Sequence, residues 1–153
     1  MDRPWRRPNW QQWRWRAVVL GVVASMLHVA VGNFFSMSYR AIGAEVPMNV
    51  DGLKTASLAY DAAFDTLVEV PVFPRPFSEL DRSRHPVVLE GQLGTLGWSP
   101  DGEVRGAYRV LVREDGKDFL VVGAMDLDAD GRPAVYSASK TFNAIRLAPN
   151  DVY

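Results

Sequence analysis

The residues with the clearest chemical potential are three aspartates that alternate along a short segment, Asp126, Asp128 and Asp130, followed by Gly131. Carboxylates with this spacing before a glycine can place oxygen ligands around Ca²⁺. A complete EF-hand loop has Glu at its twelfth position, where this chain has Ser137. The alternative is a hairpin turn whose aspartates accept hydrogen bonds from their own backbone. Both interpretations stay open, and Ca²⁺ is the one cofactor that the sequence suggests.

Residues that support catalysis are scarce. The chain has no cysteine, which excludes thiol nucleophiles, thiolate metal sites and disulfides. Its two histidines, His28 and His85, lie in an apolar stretch and beside Pro86, and no serine–histidine–aspartate arrangement is indicated. No glycine-rich phosphate loop is recognisable, because we do not expect the segment 91–94, GQLG, to begin a helix. The sequence therefore predicts a protein that is not an enzyme and has no small-molecule substrate.

The strongest physical signal is an apolar segment near the N-terminus. It has no charged residue from Ala17 to Met37 unless His28 is protonated. A helix of this length spans roughly 30 Å, the thickness of the hydrocarbon core of a bilayer. A helix also satisfies its own backbone hydrogen bonds in lipid, which an irregular segment cannot do. We predict a transmembrane helix over residues 17–40.

The preceding residues 1–16 favour the same interpretation, because four tryptophans there alternate with five arginines. Tryptophan prefers the membrane interface, and the positively charged side of a span stays in the cytoplasm. We therefore expect a single-pass protein of the bacterial inner membrane, with a basic cytoplasmic N-terminus. Its C-terminal domain would lie in the periplasm or on an extracellular filament. The predicted membrane-anchor residues are Trp13, Trp15, Arg16, Leu20, Leu27, Phe34 and Phe35.

Other interpretations of this region stay open. The apolar segment could be a buried helix of a soluble protein, or a cleaved signal peptide with small residues Ala30 and Gly32 near the cleavage site. The basic, tryptophan-rich segment could bind nucleic acid through phosphate charge and base stacking. The hydrophobic span directly behind it favours an interfacial anchor, so no nucleic acid partner is expected. His28 and Asn33 could hydrogen-bond to a partner helix or to their own.

Residues 41–68 predict a second helix after a kink. Pro47 lacks an amide hydrogen, and its ring collides with the carbonyl of Gly43, so we expect the helix kink at Gly43 and Pro47. Asn49 is a suitable N-cap for a helix that restarts there. An apolar stripe follows at steps of three and four, at Val50, Leu53, Ala56, Tyr60, Phe64 and Leu67. We expect the remaining polar residues to form a solvated face, namely Asp51, Lys54, Asp61 and Asp65.

Residues 69–153 predict an antiparallel β domain. Three prolines in residues 70–76 indicate a rigid connector, residues 77–102 are rich in loop formers, and the tail shows little pattern. Alternation and turn signals predict three strands, at 104–113, 119–127 and 134–140. A meander of this kind needs cover on one face. The predicted fold is therefore α+β, with a long, kinked N-terminal helix packed on a small antiparallel sheet of three to four strands.

Several segments, taken in order, resemble type IV pilins and the pseudopilins of type II secretion. The similarity begins at Asn33-Phe34 and continues through the segment 44–56, AEVPMNVDGLKTA. The segment 96–98, the aspartate-rich turn at 126–131 and the ending 150–153 are also similar to a subgroup of this prepilin-type family. The resemblance covers about residues 33–153. It implies a pilin-like fold, a structural role in a filament, and the lipid bilayer and other pilin-like subunits as partners.

The chain departs from this family at its processing signal, a Gly followed by Phe-Thr-Leu-Ile-Glu. Trp10 stands where the family has the Gly, Trp15 where it has the Glu, and Gly32 where it has a proline. In the family a peptidase cuts after the Gly, and the Glu pairs with the free amine of a neighbouring subunit. We therefore expect a pilin-like protein that stays uncleaved in the membrane, or enters a filament by a non-standard route. The alternative is a secreted or periplasmic binding domain, with or without Ca²⁺.

Overall fold

The computed structural model describes residues 10–147 of the chain. The chain forms two compact units, Met1–Arg40 and Ala41–Tyr153. The helices are α1 (Trp10–Gly43), α2 (Glu45–Phe64) and α3 (Gly91–Leu96), with a 3₁₀ turn at Phe77–Glu79. The strands are β1 (Val70–Phe73), β2 (Ala107–Val112), β3 (Phe119–Met125), β4 (Ala134–Ser139) and β5 (Ile145–Arg146).

Helix α1 is 34 residues long, about 51 Å at the rise of an α-helix. It contains the segment 17–40 that was predicted to be helical and begins seven residues earlier, so the Trp/Arg residues from Trp10 onward continue the same helix. Ser25 and Ser38 donate their hydroxyl hydrogens to carbonyls four residues back. Their polar groups are thereby satisfied within the helix, without water.

Only one turn residue, Ala44, separates α1 from α2. It lies between Gly43 and Pro47, the two residues named for the kink. Helix α2 begins at Glu45, not at the restart that Asn49 was expected to cap. Pro47 therefore sits in the first turn of α2, where an amide hydrogen would have no partner inside the helix. Proline is tolerated there for that reason, and no new N-cap is needed after it.

The sheet has five strands in the order β1-β2-β3-β4-β5, and every neighbouring pair is antiparallel. The α+β class is confirmed, but the prediction of three to four strands is wrong. The two additional strands, β1 and β5, lie at the edges and have four and two residues. Strand β1 contains Pro71, which an edge strand tolerates because one side of it makes no ladder bonds. Strand β3, predicted to be central from its apolar faces, is the middle strand.

The core of the second unit lies between α2 and the sheet, mainly strands β3 and β4. Val46, Val50 and Leu53 of α2 are fully buried there. Gly123 makes this close approach possible, because a Cβ at that position would lie 2.6 Å from Val50 Cγ2. Phe64, predicted to belong to the apolar stripe, is instead 64% exposed. Its ring is tilted against that of Tyr60, with 4.6 Å between the ring centroids.

The polar face of α2 is not simply solvated. Lys54 is buried, and its Nζ donates to Asn143 Oδ1 at 2.7 Å. Asp51 Oδ1 accepts the backbone amide of Ala144 at 2.7 Å. These bonds hold the segment before β5 against the helix. The expectation of a solvated face is wrong for this part of α2, because contacts between distant segments leave no periodic pattern in the sequence.

Helix α3 forms where no helix was predicted, at residues 91–94. Two of its six residues are glycines, so its intrinsic helix propensity is poor. Leu93 and Leu96 are buried in the core of the second unit. Packing of these two side chains therefore forms this helix, where local propensity would not.

Candidate functional site

The surface of α1 is the most unusual feature of the first unit. Within residues 10–147, α1 is part of the one helical segment that is long and apolar enough to cross a bilayer. None of the most apolar stretch of this segment is buried. The large apolar side chains are exposed on all sides of the helix; for example, Leu20 is 68% exposed and Phe34 is 67% exposed. A core helix of a soluble protein would be covered by the rest of its chain. The described residues provide no such cover.

The start of α1 forms a collar of aromatic and basic residues, 10–16. Trp10, Trp13 and Trp15 are all strongly exposed, and Arg14 and Arg16 lie between and beside them on the same helix. Tryptophan rings and arginine heads on one helix end suit the interface between lipid and water. All the predicted anchor residues lie on α1 and are exposed; they are Trp13, Trp15, Arg16, Leu20, Leu27, Phe34 and Phe35.

Two polar side chains, His28 and Asn33, interrupt the apolar surface of α1, and both are exposed. Neither is buried against its own unit. Gly21 and Gly32 leave open space on the helix surface, since nothing lies within 4 Å of a Cβ added at either position. The helix therefore offers polar groups and small residues that a second helix could approach.

Glu45, the first residue of α2, links that helix to the sheet. Its Oε1 accepts the backbone amides of Arg105 at 2.6 Å and Gly106 at 3.2 Å. Four residues later, Asn49 Nδ2 donates to the hydroxyl of Tyr108 at 2.9 Å. Burial raises the pKa of the Tyr108 hydroxyl above its usual range. The role of Glu45 was not predictable from the sequence, because a carboxylate that accepts a backbone amide 60 residues away has no local signature.

The three aspartates proposed as metal ligands lie together in the turn between β3 and β4. Asp126, Asp128 and Asp130 each offer one carboxylate oxygen, and these oxygens lie within 4.8 Å of one another. Asp126 Oδ2 accepts the amide of Gly131 at 2.9 Å, and the other two accept amides two residues on. All three carboxylates therefore accept hydrogen bonds from their own turn, and one oxygen of each lies close to the other two. Ser137 is buried in β4, where it cannot replace the missing EF-hand glutamate.

A second polar cluster surrounds Arg75, which sequence reasoning did not single out. This buried side chain donates to the carboxylate of Asp81, and to the carbonyls of Asp81 at 3.0 Å and Arg105 at 2.8 Å. His85 Nε2 lies 2.7 Å from Arg75 Nη1. The hydrogen bond from Arg75 lowers the pKa of Asp81 to about 2. The cluster fixes the loop between β1 and α3 and ties it to the segment before β2.

Comparisons with known proteins return no match: no protein-family model matches the chain, and neither a curated protein nor a solved structure is significantly similar. Function must therefore be inferred from the chain's own residues. The exposed apolar surface of α1 and the helix-on-sheet unit that follows it are the features on which such an inference rests.

Proposed function

We propose that this chain is a membrane-anchored, pilin-like structural protein, a component or accessory of a type IV pilus-like or type II secretion-like filament. The observation that supports the anchor is the exposed apolar surface of α1. Thirteen large apolar side chains between residues 17 and 40 are exposed. Covering one such side chain contributes about 1.5–3 kcal/mol, and monomeric soluble proteins rarely leave so large an apolar surface in water.

The charge distribution supports one orientation of this anchor. The N-terminal collar carries arginines at positions 14 and 16 and has no acidic residue in the first turn of α1. Positively charged flanks stay on the cytoplasmic side of the inner membrane. The second unit, Ala41–Tyr153, would then lie in the periplasm or on an extracellular filament.

The pilin-like part of the proposal has two supports. One is the resemblance of the segments 33–34 and 44–56 to prepilin-type proteins. The other is the arrangement of the second unit, in which a helix packs on an antiparallel meander. The chain lacks the glutamate through which the family pairs neighbouring subunits, so its mechanism would be packing of surfaces. Ala17, Gly21 and Ser25 recur every four residues along α1, a spacing that lets two helices approach closely in lipid.

A second function, that of a secreted or periplasmic binding domain released by a signal peptidase, has one observation in its favour. The second unit has its own core, whose buried residues within the described range begin at Val46, with partly buried Ile42 packed against them. Such a unit could persist after removal of the apolar segment. The two functions differ in the fate of α1, which can be measured directly.

Fractionation of bacteria that express the full chain tests the anchor. We expect the chain in the membrane pellet after alkaline carbonate extraction, with a mass that includes the N-terminal residues. Leu27→Arg, near the middle of the span, should cost about 2.5–3.5 kcal/mol of insertion free energy and reduce the membrane fraction. Leu89→Arg, at an exposed position of the second unit, is the matched control. A soluble product that begins near Asn33 would establish the alternative function.

Cross-linking tests the packing of α1 against sister copies, and the absence of cysteine makes single-cysteine variants simple to interpret. Ser25→Cys places a thiol on the face that contains Gly21, and Val23→Cys places one on nearly the opposite face. We expect oxidation in membranes to give disulfide-linked dimers from Ser25→Cys only. Monomers from both variants would indicate a solitary anchor and argue against assembly through α1.

A further inference from the structure

One carboxylate oxygen in the β3–β4 turn stands out among the described residues. Asp126 is 4% exposed, and its Oδ1 is buried without a hydrogen-bond partner. The second oxygen, Oδ2, is satisfied by the amide of Gly131. Burying an ionised oxygen without a partner is unfavourable, and nearly all buried polar atoms in folded proteins have one. A cation bound in this turn would give that oxygen a partner.

The neighbouring residues supply what such a ligand requires. Asp128 and Asp130 are exposed, and each brings an oxygen within 4.8 Å of the other carboxylates. Oxygens bound to one Ca²⁺ at about 2.3–2.6 Å lie at most about 5 Å apart. Three carboxylates of one sign are therefore already within the distance that a single cation bridges, and they come from alternate residues of one tight turn.

We infer that this turn is a Ca²⁺ site, with Asp126, Asp128 and Asp130 as its carboxylate ligands. All three donors are hard oxygens, which Ca²⁺ prefers, whereas zinc sites use mainly nitrogen and sulfur. Mg²⁺ requires a smaller octahedral shell and gives up its water reluctantly. This inference does not depend on the pilin-like function, because the ligands belong to the second unit alone.

Two other features of the turn bear on the strength of binding. Arg82 donates to the backbone carbonyl of Asp128. A cation that leaves this bond intact would bind Asp128 through its side-chain carboxylate. The position of the bidentate EF-hand glutamate is Ser137, which is buried in β4. Water must therefore complete the shell of the ion. A dissociation constant of about 10⁻⁴–10⁻³ M is expected, the range of extracellular Ca²⁺ modules.

Calorimetric titration of the full chain in detergent micelles with CaCl₂ tests the inference. We expect one saturable site in the range given above. Asp128→Asn, at an exposed position that does not threaten folding, should weaken binding roughly 10- to 100-fold, as should Asp126→Asn. Asp115→Asn is the control, because Asp115 also accepts a backbone amide in an exposed hairpin turn. A concentration of Ca²⁺ about ten times the dissociation constant should raise the Tm by about 5 °C.

Each possible result bears on the site. Loss of binding in Asp128→Asn but not in Asp115→Asn supports it, even if Asp126→Asn does not fold. An absence of saturable binding up to about 10 mM Ca²⁺, above the expected range, would overturn it. Unchanged affinity in Asp128→Asn would overturn it as well. Equal affinity for MgCl₂ would overturn the assignment to Ca²⁺.

Discussion

The carboxylate of Asp51 accepts a hydrogen bond from the backbone amide of Ala144 at 2.7 Å, although the two residues are 93 positions apart in the sequence. The bond joins the first half of α2 to the segment that leads into β5. Lys54, less than one turn further along the same helix, bonds to Asn143. Two residues nearly one turn apart on α2 thus hold two consecutive residues near the last strand.

Asp51→Ala should lower the free energy of unfolding by about 1–3 kcal/mol, because the partly buried amide of Ala144 loses its acceptor. Urea denaturation of the full chain in micelles measures the change. Asp101→Ala, at an exposed loop position, should change the free energy of unfolding by less than about 0.5 kcal/mol. Equal effects of the two substitutions would show that the bond between Asp51 and Ala144 contributes little.

Glu45→Ala should be destabilising by a similar or larger amount. The substitution leaves the backbone amides of Arg105 and Gly106 without their carboxylate acceptor, and hydrogen bonds to a charged group contribute about 1.5–3 kcal/mol. Glu69→Ala, at an exposed position after α2, is the control for loss of a glutamate. The Tm of each variant, measured by circular dichroism, provides the comparison. A Tm for Glu45→Ala equal to that of Glu69→Ala would contradict the prediction.

Gly123→Ala should disturb the packing of α2 on the sheet. The added Cβ would lie 2.6 Å from Val50 Cγ2 and 2.9 Å from Val46 Cγ1, closer than real Cβ atoms approach their neighbours. Overpacking of this kind costs about 1–3 kcal/mol of stability. Gly43→Ala is a matched control, because nothing lies within 4 Å of a Cβ there. Wild-type stability of Gly123→Ala in urea would show that α2 and β3 can separate without cost.

Asp81 should make the stability of the second unit depend on pH in acid. Its hydrogen bond from Arg75 lowers the pKa of Asp81 from 3.8 to about 2. A carboxyl group with a lowered pKa in the folded state stabilises the fold above pH 3.8, and this contribution is lost as the pH falls through about 2.

The Tm of wild type and Asp81→Asn, measured from pH 5 to pH 2, tests this dependence. The difference between the two proteins should be constant near pH 5 and should shrink as the pH falls from about 4 to about 2. Asp101→Asn should follow the wild-type curve. A Tm difference that stays the same at every pH would mean that ionisation of Asp81 does not cause the lower stability of Asp81→Asn.

Pro47→Ala should make the junction of α1 and α2 more helical. The substitution removes the proline ring, which collides with the carbonyl of Gly43 in a continuous helix, and restores the amide hydrogen that such a helix would use. We expect slower hydrogen exchange at residues 44–48, measured by mass spectrometry of the full chain. Met48→Ala, next to this position and 71% exposed, should leave the exchange of these amides unchanged. Equal exchange in Pro47→Ala and wild type would show that the turn at Ala44 does not depend on the proline.

The fold was predictable where one segment alone contains the signal. The apolar stretch of α1 and the apolar strand β3 have local patterns, and both form at the expected places. Strands β1 and β5 were missed because their formation depends on a neighbouring strand. Helix α3 was missed because buried Leu93 and Leu96 outweigh its glycines.

The candidate sites, like the fold, were predictable only where the signal is local in the sequence. The spacing of Asp126, Asp128 and Asp130 is visible in the sequence, and the structure brings their oxygens together. The unpartnered state of Asp126 Oδ1 is not visible there, because it depends on what surrounds the atom. Glu45 and Arg75 were not recognised for a related reason: Glu45 accepts backbone amides, and Arg75 also binds a backbone carbonyl, in distant segments, and backbone groups are the same at every residue.

The two outer strands of the sheet have a consequence for the contacts between copies of this chain. Strand β5 has only two residues, and Pro71 interrupts the hydrogen-bonding edge of β1. Exposed edge strands can pair with a strand of a second chain, and short or proline-containing edge strands disfavour this pairing. Pairing of the sheets of two copies is therefore disfavoured at both edges, and association between copies is left to other surfaces.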